Sequence, residues 1–206
     1  LGPAVRVVGY RPAARPPGAG APAFDAANLE KQLPATAVVV AVDGQGRVCT
    51  AAGEEVVGAT VADVYLASDV LITDYADSLV DFAVADRPIV VYAPDWEHVR
   101  AEEGIVLDLA ATAPGPMERC FDDLTARLRQ LHRGDDFHAA ERAEFRGRFC
   151  DWERGDAAER VVRHVFALDL PPVSPPLPSR AEDFFSVDNG IDTPPTGLTP
   201  PTGLKV

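Results

Sequence analysis

The sequence has 206 residues, 47% hydrophobic and 25% charged, with a formal net charge of −13. That is the profile of a globular chain with room for one ordinary domain and a sizeable core. The charge excludes nucleic acid or an anionic membrane as the main partner, because both are held by basic patches; a small phosphorylated ligand in a local site is still allowed.

The three cysteines, Cys49, Cys120 and Cys150, are odd in number and unevenly spaced. They suggest neither a disulfide framework nor a zinc site, and they fit a reducing compartment. No apolar run reaches the ~18 residues of a membrane span, and no stretch reads as a signal peptide. The first residue is not Met, so the chain is expected to be either processed or, in preference, a piece of a longer protein.

AVRVVGY (4–10) reads as a short buried strand, and the Pro- and Gly-rich RPAARPPGAGAPAF (11–24) as a long loop. Helix 25–33 follows, with Asp25 as N-cap and Pro34 past its end. ATAVVVAV (35–42) is a strand covered on both faces. DGQGRV turns the chain into another short strand at VCTA. Helix 60–68 is capped by Thr60.

DVLITDY (69–75) is the second clear buried strand, DSLVDFAVAD (77–86) a helix, RPIVVYAP (87–94) a third buried strand, and DWEHVRAEE (95–103) a helix. ATAPGP (111–116) is a break. FDDLTARLRQLH (121–132) carries Phe121, Leu124, Leu128 and Leu131 on one stripe. Two more helices cover 136–149 and 155–166. Alternating helices and continuous apolar strands predict an α/β fold, a doubly wound parallel sheet. From residue 170 the chain is Pro-rich, aperiodic and expected to be disordered. It ends in two copies of TPPTGL.

Several of these segments resemble, in order, the C-terminal part of the CDP-glycerol glycerophosphotransferase family of teichoic-acid primases and polymerases. SDVLITDY (68–75) is similar to the family's hallmark strand. DRPIVVYAPDWEHVRAEEG (86–104) is similar to its next strand and loop, PGP (114–116) recurs at its place, and RGDAAERVV (154–162) resembles its closing motif. The resemblance spans residues 61–166, with a looser fit before. It implies a Rossmann-like domain, the nucleotide-binding C-terminal half of a GT-B architecture, over residues 1–169, with 170–206 as a tail. The other GT-B domain and the acceptor polymer would then be partners. The family transfers glycerol phosphate from CDP-glycerol to a polymer hydroxyl and releases CMP, at the cytoplasmic face of the membrane.

The resemblance also names donor-binding candidates: Asp74, Tyr75, Ala76, Asp77, Ser78 and Asp81 around the hallmark strand, and Arg154, Gly155 and Ala158 in the closing motif. Arg87, Arg100 and Gly104 are candidate loop contacts. The expected ligand is CDP-glycerol or another nucleotide-linked donor, with no cofactor and no metal. Holding a diphosphate calls for backbone N–H groups, small hydroxyls and positive charge.

This chain departs from the family at those points. Ala76 and Asp77 stand where the family has Ser-Ser. Asp77 suits an N-cap, but a carboxylate ~4 Å from a phosphate costs on the order of 4 kcal/mol at an effective dielectric of ~20, more than the ~1 kcal/mol of one hydroxyl hydrogen bond. Ser78 substitutes only if the turn shifts by one residue. Ala158 replaces a serine and Arg154 an aspartate. The family's Arg-x-His-Pro motif has VAVD (40–43) as its counterpart, without histidine. His98, His132, His138 and His164 all come later and read as surface residues.

Three expectations follow: a donor-binding half of an enzyme that is inactive alone, a catalytically impaired relative serving as a binding or scaffolding module, or a GT-B transferase of changed donor specificity.

Overall fold

In a computed structural model of the chain, residues 6–13, 24–75, 77–102, 107–151, 153 and 155–166 are described. Ala76, Gly104, Arg154, most of the 11–24 loop, and the tail from 170 with its TPPTGL copies lie outside them. The described chain runs β1 (Val7–Arg11), α1 (Ala26–Gln32), β2 (Val38–Val42), β3 (Val48–Thr50), α2 (Val61–Ala67), β4 (Val70–Thr73), α3 (Ser78–Ala83) and β5 (Ile89–Tyr92). It continues through α4 (Trp96–Glu102), α5 (Leu109–Thr112), β6 (Met117–Glu118), α6 (Phe121–His132), α7 (Ala139–Phe149) and α8 (Ala157–Phe166).

The strands form one sheet in the order β3-β2-β1-β4-β5-β6. β2, β1, β4, β5 and β6 are parallel, as the apolar runs predict. β3 is the exception and pairs antiparallel with β2. Its connection, residues 43–47, is too short for a crossover, which needs a dozen residues or more, so the chain can only fold back as a hairpin. Asp43 builds that turn by accepting from the Gln45 and Arg47 amides and pairing with the Arg47 guanidinium.

Alternate residues of each central strand face opposite layers. Val70 and Ile72 of β4 join Val8, Val39, Val90 and Tyr92 under α1 and α6, with Leu29, Leu124 and Leu128 from the helices. Leu71, Ile89 and Val91 face the other way, onto Leu79, Phe82, Trp96 and Phe145 of α3, α4 and α7. Val42, Val48 and Val64 form a smaller cluster where α2 covers the β2–β3 edge. The sheet is therefore sandwiched between two helical layers.

Two helix starts follow the sequence reading. Asp25 accepts from the Asn28 amide, and Thr60 forms a reciprocal capping box with Asp63. α7 starts later than the expected 136, because Asp136 is occupied in a turn, accepting from the His138 amide and holding Arg142.

Two elements near the ATAPGP break escaped the sequence reading: the one-turn α5 and the two-residue β6. Both are too short to show a period. The PGP turn between them has a steric reason. A Cβ on Gly115 would lie 1.9 Å from the Ile89 carbonyl oxygen, while Pro116 accepts from the Val91 amide at 2.8 Å. Gly115→Ala must push β6 off β5 and is expected to cost about 1–3 kcal/mol of stability, read by urea unfolding.

α8 differs from the other helices. It buries no residue, and Val161, Val165 and Phe166 are exposed along it.

Candidate functional site

The order of the strands defines where a ligand belongs. From β1 the chain builds outward through β2 and β3 on one side; from β4 it builds through β5 and β6 on the other. The switch point is between β1 and β4, and open α/β sheets bind ligands outside the carboxyl ends of the strands at such a point. Arg11 ends β1 opposite Thr73, the last residue of β4.

A chain of hydrogen bonds ties this edge together. The Thr73 hydroxyl donates to the Arg11 carbonyl at 2.7 Å. It is also 2.6 Å from the Ser78 hydroxyl. Since a carbonyl only accepts, the Thr73 proton is used there, and Ser78 donates to Thr73. Ser78 is fully buried. Its hydroxyl is committed to the fold, which removes it as a substitute for the missing serines.

Asp74 is buried, and its carboxylate accepts from the Ala13 amide at 2.7 Å. It fixes the first turn after β1 against the end of β4. The Tyr75 hydroxyl donates to Asp95 at 2.8 Å, and its ring stacks on Trp96 with centroids 5.9 Å apart. Tyr75 thus links the hallmark strand to the loop that begins α4.

Asp77 corrects a sequence expectation. It occupies the N-cap position of α3 but makes no side-chain cap bond. Its backbone is already helical, at φ −55° and ψ −22°, whereas a capping side chain works from an extended backbone. Asp77 is instead exposed, a negative charge at the mouth of the crevice. Asp81, one turn on, is also exposed.

Partial desolvation of its carboxyl first, then the neighbouring Asp77, hold Asp81 above its ordinary value, and Arg11 partly offsets them. Because the folded chain holds this proton more tightly than the unfolded chain, ionisation weakens folding as pH rises through the carboxylate range. Asp81→Asn is expected to raise the melting temperature at pH 7. The gain should vanish below the unfolded carboxylate value of about 3.9. Melting curves of both proteins against pH check this.

Arg87 is placed away from the crevice. Its buried guanidinium donates to the carbonyls of Tyr65, Leu66 and Ser68, at the carboxyl end of α2. Asp86, the residue before it, takes Arg142 and Arg146. Arg100 is exposed on α4 and pairs with Glu97 at 3.2 Å. Gly155 has φ +79° and opens the turn before α8, where Ala158 is exposed. Residues 40–42 end β2 one strand beyond the crevice, and Asp43 serves the hairpin turn.

The structure therefore gathers Asp74, Tyr75, Asp77, Ser78 and Asp81 at the end of β4 and leaves Ala158 on a separate exposed helix, with Gly155 in the turn before it. Sequence reading missed Arg11, Thr73 and Tyr65. Arg11 was assigned to the Pro-rich loop, although its place directly before Pro12 at the end of an apolar strand was a signal. Tyr65 was counted only as part of a helix.

The family model for CDP-glycerol:poly(glycerophosphate) glycerophosphotransferase matches residues 27–167, more than half of the chain. The chain belongs to this family. A Bacillus subtilis protein named teichoic acid poly(glycerol phosphate) polymerase is 33% identical over 110 residues, covering 53% of this chain and 15% of the relative. The Staphylococcus aureus teichoic acid glycerol-phosphate transferase is 33% identical over 107 residues, 52% of this chain and 28% of that one. The chain thus spans only a minor part of these curated glycerophosphotransferases.

Among solved structures, the wall teichoic acid polymerase TagF superposes with a TM-score of 0.62 at 21% identity, covering 79% of this chain and 43% of TagF. At that identity the likeness establishes the family's fold for this domain. Among the described residues no helix is long and apolar enough to cross a membrane.

Proposed function

We propose that the chain is the donor-binding half of a CDP-glycerol glycerophosphotransferase acting in teichoic-acid or related cell-wall polymer synthesis. The observation that carries this is the family match over residues 27–167, which takes in every described strand except β1. In this reading the nucleotide-linked donor lies across the carboxyl ends of β1 and β4, and a second GT-B domain brings the polymer hydroxyl. Attack of that hydroxyl on the glycerol-bearing phosphorus forms the new phosphodiester, and CMP leaves. Phosphoryl transfer of this kind depends on positioning and charge stabilisation, so this half's task is to hold and neutralise the donor. The same reading sets the work on the cytoplasmic side, at the inner face of the membrane.

Calorimetric titration of CDP-glycerol, CDP and CMP into the chain tests this. Binding of CDP-glycerol well above CMP is expected. Failure of all three to bind, both to the chain alone and to the chain joined to an acceptor half, would overturn it.

A second reading has its own observation. Asp77 is exposed at the start of α3, and the Ser78 hydroxyl is locked to Thr73. A site with an added carboxylate and a consumed hydroxyl fits a relative that keeps the fold as a binding or scaffolding module. The same titration separates the two.

A further inference from the structure

The crevice needs positive charge to hold a diphosphate, and the arginines named from the sequence are placed elsewhere. Arg87 serves the α2 carbonyls and Arg100 pairs with Glu97; Arg154 lies outside the described residues. Arg11 is at the switch point. Its backbone is fixed against β4, by strand pairing and by the Thr73 hydroxyl on its carbonyl. Its side chain lies against the Tyr65 hydroxyl and near Asp81.

One atom of that side chain has no bond of its own, as is also true of Nε in Arg87, whose guanidinium nevertheless donates to three carbonyls. Arg11 Nε is buried and has no hydrogen-bond partner among the described residues. Buried polar groups are nearly always satisfied, and an exception calls for an explanation such as an absent ligand. A guanidinium presents paired N–H donors in a planar fork that matches two phosphate oxygens at once. Asp81 and Tyr65 balance and orient the charge.

We infer that Arg11 is the donor-binding cation of this domain, and that its Nε and Nη groups receive the diphosphate of a nucleoside diphosphate-linked donor at the β1/β4 crevice. The inference rests on the donor-binding reading above and deepens it. The hydroxyls missing at Ala76 and Asp77, and the carboxylate gained at Asp77, are offset by positive charge from the neighbouring strand. Arg11 is thereby distinguished from a residue that only neutralises Asp77 and Asp81, whose removal would alter stability but not the preference for a diphosphate.

The test compares CDP with CMP on the full chain by calorimetry, for the natural protein, Arg11→Gln and Arg11→Lys, with thermal melts to confirm folding. Arg11→Gln is expected to lose about tenfold or more in CDP affinity, with much less effect on CMP, and Arg11→Lys to recover part of the loss. An unchanged preference for CDP in folded Arg11→Gln overturns the role of Arg11 and leaves the donor-binding reading standing. A natural protein that binds neither nucleotide, both alone and joined to an acceptor half, overturns both.

Should Arg11→Gln fail to fold, the Nε–H resonance of Arg11 in the natural protein decides. It is expected to shift on addition of CDP, and no shift at saturating CDP overturns the inference.

Discussion

Arg142→Ala is expected to be the most damaging of the single changes considered, costing about 2–4 kcal/mol of stability. The Arg142 side chain is only 6% exposed and bridges two carboxylates, Asp136 at 2.8 Å and Asp86 at 3.2 Å. Asp86 also holds Arg146 at 2.9 Å. Three charge-assisted hydrogen bonds are lost, one of them long at 3.4 Å, at roughly 1.5–3 kcal/mol each when fully made. The loss is softened because Asp86 and Asp136 are partly exposed and can hydrate. Lysine should not rescue, since a point charge cannot span both carboxylates as a planar fork does.

Asp86 has φ +52°, and asparagine tolerates that backbone as well as aspartate does. Asp86→Asn should therefore cost clearly less than Arg142→Ala. Urea unfolding of the three variants measures the order. If Arg142→Ala proves neutral, the network contributes nothing to holding α7 on α3.

Asp77→Ser is expected to tighten CDP binding about fivefold at low salt. The exposed carboxylate flanks the turn after β4. The idealised repulsion of several kcal/mol at contact shrinks for an exposed charge, to about 1 kcal/mol. The gain should fall as salt is raised, because screening acts within about 10 Å at 0.1 M. Calorimetry at two ionic strengths gives both numbers. A gain independent of salt would mean that the new hydroxyl, and not the lost charge, is responsible. No gain would place Asp77 away from the ligand.

The central sheet was readable because its strands are buried on both faces. DVLITDY and RPIVVYAP carry too many apolar residues for anything else of that length, and the helices between them have clean periods. The edges were not readable in the same way. β3 runs antiparallel because of the length of a turn, and β6 forms because Gly115 lets the backbone approach β5; neither cause is a periodic signal.

At the site, the hallmark strand pointed to the correct edge of the sheet. The roles of individual residues were decided by distance. Ser78 looked like a spare hydroxyl until Thr73, five residues away, was found against it. Asp77 looked like a cap because its type is right, although its backbone angles are not. Arg11 was hidden because the residues that give it meaning, Thr73 and Asp81, are far along the chain.

The two ends of the sheet have a consequence for how this domain can be inherited. Among the described residues it stops at a three-residue hairpin strand on one side and a two-residue strand on the other. Stubs of that length give a neighbouring chain little to pair with, which guards against strand exchange and aggregation. A fold whose margins are blunted in this way is portable. It can be fused to partners of different length, as relatives of widely differing size suggest, without its own sheet being extended by theirs. Among the described residues, α8 turns Val161, Val165 and Phe166 outward. In such a unit the sheet itself is left to keep the site in shape.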